Sequence, residues 1–146
     1  MDYNRAEDRI KEILLEESNL LQCVVDFLYK SFDHYSWVGI YIIRDNLLVL
    51  GPWRGEQATE HTHIPIGKGV CGSAARSGKT EVVDDVNMDD RYLACFTSTK
   101  SEIVVPITKN DKIVGEIDID SDQPAAFTDN DIVFLEKISD MLKEHI

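Results

Sequence analysis

The sequence has 146 residues, of which 43% are hydrophobic and 29% charged, and its formal net charge at pH 7 is −12. These values are typical of one domain with a hydrophobic core. The negative charge argues against nucleic acid and anionic membrane surfaces as partners, because both are bound through clustered Lys and Arg. No apolar run approaches the roughly 18 residues of a membrane span, and no signal-peptide pattern follows Met1, so a cytoplasmic location is predicted.

Helices are predicted at both ends of the chain. Residues 4–30 carry apolar side chains at helical spacing, in two parts. Residues 128–131 resemble a helix-capping box, and the apolar stripe that follows predicts a helix to the C-terminus.

Two hairpins are predicted between these helices. One joins residues 36–43 to residues 47–51, and the other joins residues 102–108 to residues 112–120. Strands joined in this way form an antiparallel sheet, so the predicted class is α+β, with a single domain over residues 1–146.

The connection between the hairpins contains a short predicted helix over residues 70–76, closed by Gly78. A strand is predicted over residues 81–86. Residues 87–100 show no periodicity and are predicted to form a loop, and long loops in compact domains are often functional.

Three cysteines are present, with no spacing typical of a zinc site. Cys71 lies in the first turn of the short helix, where the helix N-terminus lowers the pKa of a thiol, although a small core residue would also fit there. Cys95 lies in the predicted loop, and its position is compatible with a reactive or an inert thiol. Cys23 lies beside apolar residues of the second helix and is predicted to belong to the core.

Acidic side chains cluster on the second hairpin. Glu116, Asp118 and Asp120 alternate along one strand and therefore share a face, and Glu102 begins the partner strand. Such neighbours repel one another unless a cation or a proton is held between them. The pattern fits either a binding site or a solvated sheet face.

Trp37, Gly39 and Tyr41 share one face of the first strand. The two rings could pack in the core, or they could hold a thioether or a small cation around the gap left by the glycine. His61 and His63 form only a weak metal-binding pattern, and no metal site is predicted.

Eight short segments occur in an order that resembles one protein family. They are residues 37–41, 50–52, 64–65, 67–72, 83–86, 93–95, 101–106 and 118–121. The sequence is similar to the free methionine-(R)-sulfoxide reductases, a group of stand-alone GAF domains. The resemblance implies a GAF-type (PAS-like) fold in which an antiparallel sheet of about six strands carries the N- and C-terminal helices on one face.

The resemblance also implies roles for individual residues. Cys95 would be the nucleophile and Cys71 the resolving cysteine. Glu102, Asp118 and Asp120 would form an acidic pocket. Trp37 and Tyr41 would form an aromatic wall beside it. The best-known branch of the family carries another cysteine before the segment 67–72, but residues 55–61 contain none, which leaves a relay from Cys95 to Cys71 unless Cys23 takes part.

The implied reaction is the reduction of free L-methionine-(R)-sulfoxide to methionine. A carboxylic acid with a raised pKa protonates the sulfoxide oxygen, and a thiolate attacks the sulfur and becomes a sulfenic acid. A second cysteine converts it to a disulfide, which thioredoxin or another dithiol reopens, and no cofactor takes part. The family also suggests a homodimer. The alternatives are a GAF domain that senses a small molecule and a non-catalytic methionine-binding domain.

Overall fold

The computed structural model describes residues 1–93 and 96–146. The helices in this part of the chain are α1 (Tyr3–Glu16), α2 (Leu20–Ser31), α3 (Gly69–Ser77) and α4 (Asp129–Leu142). The strands are β1 (Trp37–Arg44), β2 (Leu47–Gly55), β3 (His63–Pro65), β4 (Glu81–Val83), β5 (Ser101–Lys109) and β6 (Lys112–Ser121). Short 3-10 turns cover Val86–Met88 and Lys143–His145. None of the described helices is both long and apolar enough to cross a membrane.

The six strands form one antiparallel sheet in the order β3-β2-β1-β6-β5-β4. Both predicted hairpins are present. Asp45 and Asn46 join β1 to β2, and Asn110 and Asp111 join β5 to β6, all four with φ between 51° and 63°. Consecutive residues with positive φ match the twist of a two-residue hairpin, and Asn and Asp tolerate that conformation. The predicted α+β sheet is therefore confirmed.

The two faces of the sheet pack against different helices. Alternate residues of β1, β5 and β6, including Val38, Ile103 and Ile117, form the main core with α1, α2 and α4. Cys23 is half-buried against this core, as predicted. The opposite face packs against α3 around Tyr41 in a second, smaller core. Helices from both chain ends thus cover one face and leave the other for the site.

The structure differs most from the predicted strand limits in β2 and β4, and β3 was not predicted. β2 continues to Gly55, beyond the expected end at Gly51. Between the pairs Tyr41–Leu50 and Gly39–Trp53, two residues of β2 lie opposite the single residue Ile40 of β1, so the pairing continues through a bulge. Such a bulge accommodates Gly and Pro within a strand. The strand predicted over 81–86 ends at Val83.

Asp131 ties the C-terminal helix to the start of the chain. Its side chain is 1% exposed and accepts hydrogen bonds from the hydroxyls of Tyr3 (2.9 Å) and Tyr35 (2.7 Å) and from the backbone N–H of Thr128 (2.9 Å). It also forms a 2.9 Å hydrogen bond with Nε2 of His34. Burial opposes ionisation, but these hydrogen bonds, with that of His34 foremost, lower the pKa of Asp131 to about 2.

Replacing Asp131 by alanine is expected to lower the free energy of unfolding by about 2–4 kcal/mol, because several buried donors lose their acceptor. Since the folded-state pKa is depressed, the stabilisation is present above the unfolded value of about 4 and is lost as pH falls toward 2. Urea unfolding at pH 7 and pH 3 measures both effects, with the exposed Asp8→Ala as the control. Equal losses for the two variants would contradict the proposed role of Asp131.

Candidate active site

The register of the sheet aligns acidic and aromatic side chains on the face opposite α1, α2 and α4. Asp120 of β6 pairs with Trp37 of β1 on one side and with Glu102 of β5 on the other. Two residues before Asp120 on the same strand, Asp118 pairs with Gly39 of β1. Directly opposed residues of antiparallel strands project to the same face. Five positions singled out in the sequence are therefore adjacent.

The acidic face is buried. Glu102, Asp118 and Asp120 are 6%, 5% and 3% exposed, and Glu116 is fully buried. The alternative of a solvated sheet face is wrong, because other parts of the fold cover these side chains. Across residues 1–93 and 96–146, no Lys, Arg or His forms an ion pair with any of the four.

Burial and mutual repulsion favour protonation of these carboxyls. Burial raises the pKa of Glu102 well above its usual value, and the Asp118 and Asp120 carboxylates raise it further. Burial followed by the charge of Asp118 likewise raises the pKa of Asp120 and of Glu116. The pKa of Asp118 is raised by burial, while hydrogen bonding to Glu102 and Cys71 opposes the change. The cluster can thus retain protons where isolated carboxyls would have lost them.

Cys71 lies against this acidic cluster. It belongs to the first turn of α3 and is 5% exposed. Its Sγ and one carboxylate oxygen each of Glu102 and Asp118 all lie within 4.8 Å of one another. Burial raises the pKa of the thiol well above its usual value, and the charges of Asp118, Glu116 and Glu102 raise it further. The lowered pKa expected from the helix N-terminus is therefore wrong, because desolvation and neighbouring carboxylates outweigh it.

Trp37 fills the gap expected at Gly39. A Cβ atom on Gly39 would lie 2.4 Å from Cη2 of the Trp37 ring, and one on Gly55 would lie 2.3 Å from Cδ1. The indole stacks with Trp53 at a centroid distance of 6.2 Å. The gap at Gly39 is thus filled by the tryptophan of the same strand, which leaves no room there for a ligand.

Two cavities adjoin the acidic cluster. Trp37, Phe96 and Asp120 help to line a groove of about 410 Å³. On the inner side, Tyr41 and Cys71 are among the residues around a void of about 20 Å³, which has room for about one water molecule. Only the groove falls in the range of roughly 300–1,000 Å³ that is usual for ligand sites. The aromatic residues Trp37 and Tyr41 therefore line separate cavities.

Comparison with known proteins identifies the family. The GAF domain family model matches residues 10–146. The free methionine-R-sulfoxide reductase of Saccharomyces cerevisiae is 43% identical over 121 residues, which cover 80% of this chain and 66% of the relative. The enzyme of the same name from Escherichia coli strain K12 is 39% identical over 104 residues, which cover 71% of this chain and 62% of the relative. This chain therefore spans slightly less than two thirds of the length of each.

A solved structure matches more completely. It is the free methionine-R-sulfoxide reductase from Neisseria meningitidis in complex with its substrate, with a TM-score of 0.91 and 33% identity, covering 97% of this chain and 86% of the other. The chain is a GAF domain of the free methionine-(R)-sulfoxide reductase family. The family resemblance carried by the short sequence segments is thus confirmed.

Some expectations about this GAF domain fall outside the described residues. Cys95 and its neighbour Ala94 are not described, so the assignment of Cys95 as nucleophile stays a prediction.

His63 is exposed, whereas His61 lines the small void beside Cys71. In the described ranges the two histidines do not join a group of convergent metal-ligating atoms.

Sequence reasoning missed part of the groove. Phe96 lies 6.1 Å from the Trp37 ring, centroid to centroid, and Thr99 donates a 3.4 Å hydrogen bond from Oγ1 to Oδ2 of Asp120. Both residues belong to the segment that lacks periodicity, so no spacing indicates which side chains turn inward. Thr99 is only 4% exposed, but its neighbours in the sequence are polar and give no indication that its side chain is buried.

Proposed function

We propose that this GAF domain reduces free L-methionine-(R)-sulfoxide to methionine through the thiols of Cys95 and Cys71. The observation that carries the proposal is the buried cluster of Glu102, Asp118 and Asp120, which adjoins Cys71 and has no described basic partner. Buried carboxylates normally require a cation or a proton. Free methionine sulfoxide suits such a cluster. Its ammonium group is a cation that ionised carboxylates can bind, and its oxygen needs a proton that a protonated carboxyl can donate.

The first step transfers the sulfoxide oxygen. A carboxyl of the cluster protonates this oxygen, which makes the sulfur electrophilic, and the thiolate of Cys95 attacks that sulfur. The S–O bond of the substrate breaks as its oxygen passes to the Cys95 sulfur, so methionine leaves with its sulfur reduced and Cys95 becomes a sulfenic acid. The raised pKa values of the carboxyls support this role, because the proton donor must still carry its proton near neutral pH.

The second step regenerates the enzyme. The sulfur of Cys71 attacks the sulfenic sulfur, the S–O bond breaks, and water leaves as the disulfide forms. Thioredoxin or another dithiol then reduces the Cys71–Cys95 disulfide by thiol–disulfide exchange. Burial of Cys71 and its raised pKa support a resolving role, since such a thiol is a poor first attacker but survives until a sulfenic acid is presented to it.

The groove is the proposed binding site of the substrate amino acid. Asp120 lies at the boundary between the groove and the acidic cluster and would hold the ammonium group together with its neighbours. Trp37 would supply the wall, and its buried indole Nε1 has no hydrogen-bond partner among the described residues, which makes its N–H available to a ligand. Tyr41 would support the inner side, where its hydroxyl donates a 2.7 Å hydrogen bond to the carbonyl of His61.

The test is turnover of free methionine-(R)-sulfoxide by purified protein with a dithiol reductant. We expect turnover of the free amino acid and a loss of at least about 100-fold in kcat/KM for its N-acetyl derivative, because acetylation removes the ammonium that the carboxylates bind. Chromatographic quantification of methionine measures both rates. Absence of turnover together with a rise in melting temperature on adding a nucleotide would favour the sensor instead. A rise with methionine alone would favour a non-catalytic binding domain.

A further inference from the structure

Glu116 is a buried carboxyl for which the proposed reaction assigns no role. It lies in β6 and is fully buried, and neither carboxylate oxygen has a hydrogen-bond partner among the described residues. Burying such a group without compensation costs free energy, and a nonpolar residue in its place would avoid that cost. The presence of a carboxyl at this position is therefore understandable if it acts on a neighbouring group.

The groups around Glu116 can be identified from the sheet register and from α3. Tyr41 of β1 and Pro106 of β5 are its cross-strand neighbours, Asp118 follows on the same face of β6, and Cys71 approaches from α3. The Tyr41 hydroxyl already donates to a backbone carbonyl, and proline has no proton to exchange. Of these neighbours, the Cys71 thiol is the proton donor whose chemistry requires an acceptor.

The other three carboxyls are hydrogen-bonded to one another. Glu102 shares hydrogen bonds with both Asp118 and Asp120, so these three form one group on the side of the groove, and Asp118 of this group also contacts the Cys71 thiol. Glu116 takes no part in these bonds. Burial and the charge of Asp118 raise the pKa of Glu116 well above its usual value, and the adjacent Cys71 thiol acts in the opposite direction.

We propose that Glu116 accepts the proton of the Cys71 thiol as this thiol attacks the sulfenic acid. The proposal rests on the proposed function and concerns its second step. The S–H bond of Cys71 breaks toward the Glu116 carboxylate, the S–S bond forms, and the sulfenic S–O bond breaks. The proton that Glu116 has accepted passes to the departing hydroxide, which leaves as water and restores the Glu116 carboxylate. The Cys71 sulfur is oxidised and the sulfenic sulfur is reduced, so no further oxidant is needed.

Glu116→Gln distinguishes this role from a purely electrostatic one, because the two predict opposite signs. Loss of a proton acceptor is expected to slow formation of the Cys71–Cys95 disulfide by about tenfold or more. If Glu116 acted only through its negative charge, the substitution would lower the thiol pKa and leave the disulfide rate unchanged or faster.

The experiment is a single turnover without reductant, with rapid quenching in acid. Released methionine measures the first step, and mass spectrometry of the cysteine peptides measures disulfide formation. Glu116→Gln and Glu116→Leu are both expected to release methionine at the wild-type rate and to accumulate sulfenic acid. Glu136→Gln, which removes an exposed carboxylate from α4, is the matched control. Both Glu116 variants are expected to melt no lower than wild type, because each removes an ionisable group from a fully buried position.

A disulfide rate in both variants that equals or exceeds the wild-type rate would overturn the role of Glu116 and leave the proposed function intact. Equal slowing of methionine release and disulfide formation would also overturn it, since the residue would then act in the first step or on the structure as a whole. A wild-type protein that releases no methionine would overturn the proposed function and this role with it.

Discussion

Cys95→Ser is expected to lower turnover of free methionine-(R)-sulfoxide by at least about 10³-fold, because the attacking thiolate is lost and no described cysteine can replace it. Cys23 is half-buried on α2 against the main core, on the other side of the sheet from the acidic cluster. Cys71 adjoins the cluster, but its burial and the neighbouring carboxylates raise its pKa and disfavour a thiolate. A lowered pKa at the helix N-terminus would have favoured Cys71 as the attacking thiol, but the structure raises the pKa of this thiol instead.

Cys71→Ser should behave differently from Cys95→Ser. It is expected to release one equivalent of methionine per protein and then stop, with sulfenic acid trapped on Cys95, because the resolving thiol is absent. Dimedone labelling and mass spectrometry detect this acid, and the wild-type protein should instead show a Cys71–Cys95 disulfide after one equivalent of substrate. Cys23→Ser is the control and should retain full turnover. Normal multiple turnover by Cys95→Ser would eliminate the proposed mechanism.

The second large effect is expected from the acidic cluster. Glu102→Gln, Asp118→Asn and Asp120→Asn should each lower kcat/KM by about 10²–10⁴-fold, because each removes either the proton donor or a partner of the substrate ammonium. The donor acts in its protonated form. Since burial and neighbouring carboxylates raise these pKa values, the protonated fraction persists toward neutral pH and declines as pH rises through the raised pKa.

The pH profile identifies the donor among the three. Wild-type kcat/KM should fall on the alkaline side as the donor ionises. Only the variant lacking the donor should lose the alkaline limb, whereas loss of an ammonium partner should mainly raise KM. Asp8→Asn, which removes an exposed carboxylate from α1 on the other side of the sheet, is the matched control. Changes below about twofold in all three variants would exclude the cluster from catalysis.

Much of the sheet could be predicted because its signals are local. Asp45–Asn46 and Asn110–Asp111 specify tight turns through backbone conformations that few other residues adopt. The box at Thr128 and Asp131 marks the start of α4, and the structure contains both of its hydrogen bonds. Alternation along β6 placed Asp118 and Asp120 on one face for the same reason, since the side-chain period of a strand is two.

The environment of that face could not be predicted, because it depends on contacts between distant segments. Alternation did not distinguish a solvated face from a buried one, and only the packing of α3 and of the segment around Thr99 shows that these carboxyls are covered. The thiol pKa of Cys71 was misjudged for the same reason. The helix N-terminus is visible in the sequence, whereas the carboxylates that outweigh it come from β5 and β6. The ring of Trp37 over Gly39 likewise depends on a rotamer.

The strand order has a consequence for how this protein becomes active. β1 lies beside β6, so Trp37 is paired with Asp120 although most of the chain separates them. A nascent or partly folded chain can form both hairpins and still lack every cross-strand contact between the aromatic wall and the acidic cluster. Closing that long loop is entropically costly and makes pairing of β1 with β6 a late event. Glu102 and Asp120 already meet within the β5–β6 hairpin, but Trp37 joins them only when β1 pairs with β6, so incomplete forms of the protein would contain no assembled site.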